Sequence, residues 1–426
     1  MNAQGSNQFL QFNYIPYPLW RRKLPLPLKW AARPLLQRYY PVKATGRTVP
    51  TVNDIADYLL RFDLLPGINR TELTKKLAQD YIGPTEIVDP DAQPATTTKP
   101  SRLPAQWEPI ERVMMSWPVL YPPLWPLHAQ MAEAISAVAS VQINVPHYLW
   151  QHAIHLYLEQ RGKAIMNALH FYHLPTDDIW IRDYGPVVCL DENGQRVAVN
   201  MTYDPLPNYP QHQDDSMPRR WAAHRNFPVY KLDFHGEGGN LWSDGMGTLL
   251  MTNQAYRQNE DLNRISLLER LHGAFTFEKL VILPRLRMEE TGHVDLVVKL
   301  ASADTVLVSG PQALFTGDRL RMAANQLRRD TNARGDRYNV VMLPTPPLYF
   351  NWFGYPIRRS YTNALTVNGR VLVPVYGIPT DERALHIYAD TMPDHDIVPI
   401  DCTIGANGGG AVHCLTKEVP QLQPAP

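Results

Sequence analysis

Cysteine is scarce in this 426-residue chain, which has three: Cys189, Cys402 and Cys414. So few thiols, in an odd number, exclude a disulfide-stapled secreted scaffold and favour a reducing compartment. Long apolar runs are missing too; nothing approaches the ~18 consecutive apolar residues of a membrane-spanning helix. The N-terminus opens polar and places its charges after its apolar residues, the wrong order for a cleavable signal. A cytoplasmic protein is expected, with export by another route left open. Net charge is absent: 41 basic residues meet 41 acidic ones, so the molecule as a whole is not built to bind nucleic acid. Acid is missing locally as well. Arg21, Arg22, Lys23, Lys29, Arg33, Arg38, Lys43 and Arg47 all precede the first carboxylate, Asp54.

Proline is plentiful, at 39 residues, and aromatics make up 10%, which favours strands, turns and long loops over a helical bundle. Residues 1–53 mix basic, proline and aromatic residues; they read as an arm packed loosely on the body, or as a surface touching a membrane, nucleic acid or partner. Two short helices are expected in 54–101, one following Asn53 and one capped by Asn69 with Glu72 three residues on. Residues 89–104, rich in Pro, Ala and Thr, read as a linker ahead of a catalytic domain spanning 102–426. Beyond it, apolar strand-like runs (113–117, 141–145, 187–190, 249–252, 280–283, 305–308, 340–343, 371–375, 397–400) alternate with helical stretches at 127–139, 261–271, 318–329 and 381–392. Asp191-Glu192-Asn193-Gly194 and Val367-Asn368-Gly369 are hairpin signals of the type I′ kind. The whole predicts a compact α/β body of recurring strand-rich units.

Three segments carry the chemistry. Cys414 ends the run Asn407-Gly408-Gly409-Gly410-Ala411-Val412-His413-Cys414, where glycines allow a tight approach and leave room beside the sulfur. A buried, inert thiol in a glycine turn is the plain alternative. In Thr291-Gly292-His293-Val294-Asp295, an extended backbone would turn the imidazole and the carboxylate to one face. One His and one Asp make only two ligands, too few for a zinc site, so a Cys414–His293 couple is the better reading. Asp183 lies in Trp180-Ile181-Arg182-Asp183-Tyr184-Gly185-Pro186, and Glu237 in His235-Gly236-Glu237-Gly238-Gly239-Asn240; alone, each is also consistent with a loop or turn carboxylate. Carboxylates gathered beside a thiolate repel one another unless the ligand is cationic, and a planar guanidinium fits them bidentately.

These blocks, with Pro104-Ala105-Gln106-Trp107-Glu108-Pro109 and Met114-Met115-Ser116-Trp117-Pro118, resemble the agmatine deiminase and bacterial-type peptidylarginine deiminase family of guanidine-modifying enzymes. The likeness runs from about 102 to 420, in the family's order. It implies a five-bladed, pseudo-fivefold α/β propeller (pentein) and hydrolysis without metal or cofactor. Cys414 would be the nucleophile, His293 the acid and base, and Asp183 and Asp295 the guanidinium grips. Glu237, Trp180, Arg182, Asn240, Gly409 and Gly410 would line the substrate. The chain departs from the family at Leu296-Val297-Val298-Lys299, at Ala411 and at Val119-Leu120-Tyr121, which puts the contacts to the substrate tail in question.

The expected reaction is agmatine to N-carbamoylputrescine plus ammonia, through a thiouronium intermediate. Arg219-Arg220, if not solvated loop residues, would instead suit the carboxylate of a C-terminal arginine and give citrulline, whereas Trp221, Tyr203 and Tyr209 would wall a diamine tail. An amidinotransferase, an interaction protein acting through its basic arm and a catalytically inert relative are the other readings. A homo-oligomer with a small-molecule guanidine substrate is expected.

Overall fold

The computed structural model describes residues 50–422, except 82, 120, 204–210, 288, 290, 312–316 and 351–355. The basic arm up to residue 49, and Tyr209, lie outside the described residues. No described helix is long and apolar enough to cross a membrane.

Five sheets share one connectivity: an antiparallel pair, then a helix, then a strand that returns parallel to the second. The second unit is Val187–Leu190, Arg196–Thr202, helix His212–His224 and Val229–His235. In the third, Trp242–Ser243 and Thr248–Thr252 precede helices Gln254–Gln258 and Arg264–Ala274 and strand Lys279–Leu283. The fourth runs Val298–Leu300, Thr305–Val308, helix Gly317–Arg329, Asn339–Met342. The fifth runs Leu365–Val367, Arg370–Val375, helix Asp381–Thr391, Asp396–Asp401. The first unit is made from both ends of the body: Lys417–Pro420 pairs antiparallel with Ile110–Ser116, followed by helix Trp125–Ser136 and strand Ser140–Val145. Leu169–His173 and Thr85–Ile87 widen that sheet.

The recurring units expected from the alternating pattern are thus present, and they are joined through shared cores. Side chains alternate across a strand, so one strand feeds two cores. In Thr305–Val308, Val306 and Val308 pack with the third unit's Leu250 and Val281, while Leu307 packs with the fifth unit's Leu365 and Leu372. Other clusters join the second unit to the third and the first to the second, and the fifth unit meets the first around Val371 and Val113. The contacts close on themselves as a ring. Because both faces are covered, the strands read as unbroken apolar runs rather than alternating ones.

The N-terminal helices belong to this body. Tyr58, on helix Val52–Arg61, packs its ring 5.0 Å from Trp150 and 6.1 Å from Trp125. Thr51, not Asn53, caps that helix, because Asp54 answers it in a capping box. Asn69 caps helix Arg70–Leu77 as expected. The segment that composition marks as a linker is pinned by backbone bonds: Thr97 to Val229, Ser101 to Ala274, and Arg102 reciprocally to Leu190. Its prolines reflect an irregular path across two units rather than freedom. Asn368 and Gly369 both have positive φ, as a type I′ turn requires. The other hairpin differs. Only Gly194 has positive φ, and Gly194 N–H donates to Asp191 O while Asp191 N–H donates to Gln195 O, a longer loop closed by a glycine.

Candidate active site

Each unit hands the chain to the next through a junction, and these junctions supply the candidate residues. Asp183 lies in the turn Ile181–Tyr184 ahead of the second unit, and Glu237 precedes the 3-10 turn Gly238–Asn240 ahead of the third. His293 and Asp295 flank and occupy the 3-10 turn Val294–Leu296 ahead of the fourth. Asn363 precedes the fifth unit, and Cys414 precedes the strand that closes the first. A ring of units turns five distant stretches of sequence into neighbours. His293 and Asp295 reach the site from a 3-10 turn, not from the extended strand the spacing suggested.

The imidazole of His293 sits between two carboxylates. Its Nε2 is 2.6 Å from Glu237 Oε2, and its Nδ1 is 3.5 Å from Asp183 Oδ1. Burial alone would lower its pKa, but Asp183 and Glu237 outweigh burial and raise it to about 10. Gly239 makes the approach possible: a Cβ there would stand 2.4 Å from His293 Nδ1 and 2.7 Å from Asp183 Oδ1. On the other side, Cys414 Sγ accepts a hydrogen bond from Asn363 Nδ2 at 3.1 Å and lies 3.8 Å from Asp295 Oδ2. Asn363 Oδ1 accepts from the backbone N–H groups of Ala411 and Cys414. Burial and the carboxylates of Asp295 and Asp183 push the thiol well above its ordinary pKa.

Burial, offset in part by His293, raises Asp183 to about 7 and Asp295 to about 6. Two acceptors stay open. Asp183 Oδ1 and Asp295 Oδ1 are buried and accept no hydrogen bond from any described group. Unmet acceptors of that kind cost ~1–3 kcal/mol each, more when charged, and are rare unless a ligand or water meets them. Asp183, Glu237 and Asp295 against one imidazolium leave the pocket short of positive charge.

Asp183, Glu237 and His293 also form a group with metal-type donors, all within 4.8 Å of one another. The fold thereby brings His293 more carboxylates than the sequence spacing indicated. The 2.6 Å contact between His293 and Glu237 is shorter than the ~3.3 Å between two ligands of one tetrahedral zinc, and it suits a shared proton.

Several residues expected to line the substrate have other work. Arg182 donates from Nη1 to Glu418 Oε1 at 3.0 Å and from Nε to His413 O at 3.2 Å. That corrects the expectation of a substrate contact: the guanidinium ties the Asp183 turn to the Cys414 segment. Asn240 Oδ1 accepts from Thr252 N–H, and Thr252 Oγ1 donates to Gly292 O, which braces the turn ahead of His293. Gly409 is needed for its left-handed φ of 88° and Gly410 for space, since a Cβ there would lie 2.3 Å from the Trp180 ring. Arg219 and Arg220 sit on a helix, not a loop. Arg219 donates to Gln93, while buried Arg220 donates to Pro175 O and Gln213 O, so neither waits for a carboxylate.

Sequence reasoning missed Asn363, His413, Lys299 and Lys417. Both lysines are buried, and burial lowers each to about 7. The Val367-Asn368-Gly369 hairpin offered one signal, since Asp183, Glu237, His293, Asp295 and Cys414 all fall ahead of a unit's opening strand and Asn363 does too.

A family model described as Porphyromonas-type peptidyl-arginine deiminase matches residues 102–420. The chain belongs to that family. It is 27% identical over 359 residues to a Vibrio parahaemolyticus protein provisionally named an agmatine deiminase, covering 75% of this chain and 96% of that one. A similarly named protein of Selenomonas ruminantium is also 27% identical, covering 75% and 96%. The solved agmatine deiminase of Enterococcus faecalis, 23% identical, superposes with a TM-score of 0.69 over 77% of this chain and all of that one. A C. jejuni agmatine deiminase variant with substrate bound is 17% identical, with a TM-score of 0.64 over 76% of this chain and 97% of its own. These structural likenesses establish a shared fold with this family member.

Proposed function

We propose that the protein hydrolyses the guanidinium group of agmatine, giving N-carbamoylputrescine and ammonia. The observation that carries this reading is the pair of buried, unmet acceptors, Asp183 Oδ1 and Asp295 Oδ1, flanking His293 and the thiol of Cys414. A guanidinium offers N–H donors to both and supplies the missing positive charge. The agmatine deiminase names among the relatives support the substrate, as does the engagement of Arg219 and Arg220 elsewhere.

The chemistry follows from the charges. An arriving cation offsets the carboxylates that hold the Cys414 proton in place, and the thiol ionises, releasing its proton to solvent. Sγ attacks the guanidinium carbon; a C–N bond breaks as the His293 imidazolium gives its proton to the leaving nitrogen, and ammonia departs. The thiouronium left on Cys414 carries the positive charge still gripped by Asp183 and Asp295. His293, now neutral, takes a proton from water as the oxygen bonds to carbon. The C–S bond then breaks, returning its electron pair to sulfur, and loss of the oxygen-bound proton leaves the ureido product, with ammonium as the second product. Glu237 holds the imidazole and favours its protonated form.

Purified protein and Cys414→Ala, each incubated with agmatine and with a C-terminal-arginine peptide, test the reading by released ammonia and ureido product. Turnover of agmatine alone, lost in Cys414→Ala, is expected. Turnover of the peptide alone would overturn the substrate, and equal turnover by Cys414→Ala would overturn the mechanism.

A further inference from the structure

The residue before the nucleophile is held more tightly than a spacer needs to be. His413 N–H donates to Asn363 O at 3.1 Å, and its carbonyl accepts from Arg182 Nε at 3.2 Å. Its ring stacks on Trp242, with centroids 4.7 Å apart and planes 24° apart, and Trp242 is itself fixed by Nε1–H donation to Val298 O. The ring nitrogens are unequal. Nδ1 lies 2.8 Å from Asp295 Oδ2, whereas Nε2 is buried and meets no described partner.

Burial, with the cations of Arg182, Lys299 and Lys417 nearby, holds His413 well below the ordinary histidine pKa, so the ring is neutral. A neutral ring has one N–H, and the carboxylate can only accept, so the proton sits on Nδ1 and Nε2 is a bare lone pair. The ring is therefore a fixed donor to one oxygen of Asp295. The charged and titratable groups acting on that carboxylate are His413 and Cys414 from the C-terminal segment, His293 from its own turn, Lys299 from the fourth unit's first strand, Asp183 and Arg182 from the second unit's junction, and Glu289.

We propose that His413 is a positioning residue for deimination: its Nδ1–H holds Asp295 by Oδ2, leaving Oδ1 turned to the guanidinium. The role rests on the deimination reading above and adds a residue to it. Removing the donor has two consequences. Asp295 becomes free to rotate its oxygens toward Cys414 or away from the substrate, and its charged form loses a hydrogen bond, which raises its pKa.

Three variants separate donor from shape. In His413→Asn the amide nitrogen stands where Nδ1 stood; in His413→Gln it reaches the Nε2 position; His413→Phe keeps the stack on Trp242 and donates nothing. The measurement is kcat/KM for agmatine against pH. His413→Asn is expected to stay within about threefold of wild type with the same acid limb. His413→Gln and His413→Phe are expected to fall about a hundredfold, with the acid limb steepened and its midpoint moved up by about 0.3 pH unit, because Asp183 at about 7 already sets its upper part. An unmoved acid limb in both variants, or His413→Asn behaving like His413→Phe, overturns the inference while leaving deimination intact. Should His413→Phe fail to fold, the Asn–Gln comparison decides alone. A wild-type protein that consumes no guanidine sinks the deimination reading, and this inference with it.

Discussion

Asp183, Asp295 and His293 are displaced in the same sense for different reasons: burial raises the two carboxyls against the pull of His293, and the carboxylates raise the imidazole against burial, so each holds its proton to a higher pH than it would in water. Asp295 releases its proton at about 6, Asp183 at about 7 and His293 at about 10. In the proposed mechanism, guanidinium binding needs both carboxylates charged, and ammonia release needs the imidazole protonated. Accordingly, kcat/KM is expected to rise through about pH 6 to 7, hold, and fall near about pH 10, as an initial-rate profile would show. The same shifts bear on stability. His293 titrates at 6.5 ordinarily and about 10 when folded, so its contribution is complete below 6.5 and lost as pH rises through about 10. Asp183 and Asp295 have raised folded values too, and their stabilising contribution is already lost by about pH 7. Lys299 and Lys417, lowered to about 7, contribute in the opposite sense over the same range, so the test is the difference between wild type and His293→Gln. The wild-type advantage in thermal midpoint of ligand-free protein should shrink from about pH 7 to 10, by a loss on the order of a few kcal/mol. A difference that stays constant or grows across this range would contradict the pairing.

In the proposed mechanism the junctions, rather than the strands and helices of the units they connect, carry the chemistry, and their glycines are chosen for contact. Gly239 has an ordinary φ, so alanine fits its backbone but not its surroundings, against His293 and Asp183. Gly239→Ala should fold and lose about a hundredfold or more in kcat/KM, measurable alongside an unchanged circular dichroism spectrum. Arg182 and Glu418 clamp two junctions together. Burial would raise Glu418, but Arg182 prevails and holds it at about 2. Glu418→Gln leaves a buried guanidinium without its charge partner and should destabilise the fold by about 3 kcal/mol in urea unfolding. Sequence alone singled out Cys414, His293, Asp183, Asp295 and Glu237 as candidates, each in a glycine-bearing segment or a polar break between apolar runs, and the fold gathers them in one place. It misread Arg182, since a charged residue beside a catalytic one looks like a ligand contact until its partner, 236 positions away, is known. Asn363 and His413 were unread because an amide and an imidazole acting on neighbours have no spacing signature.

At the scale of the molecule, closure is the organising fact. The chain's last strand, Lys417–Pro420, completes the sheet begun at Ile110–Ser116, and that pairing delivers Cys414 to carboxylates from the second and fourth junctions. The repeating hairpin, helix and strand were legible from two turns and a run of apolar segments. The ring was implied only by the family resemblance, because which core each face of a strand enters depends on neighbours far away in sequence. Composition likewise suggested a linker at 89–104, where backbone pairing across two units holds the chain. With Cys414 so placed, its sulfur would be the nucleophile toward a guanidinium carbon. Acid quenching of the enzyme during agmatine turnover, followed by peptide mass spectrometry, should then yield a Cys414-containing peptide heavier by agmatine less ammonia, absent in Cys414→Ala. Turnover with Cys414 unmodified at every quench time, or an adduct on another residue, would contradict it.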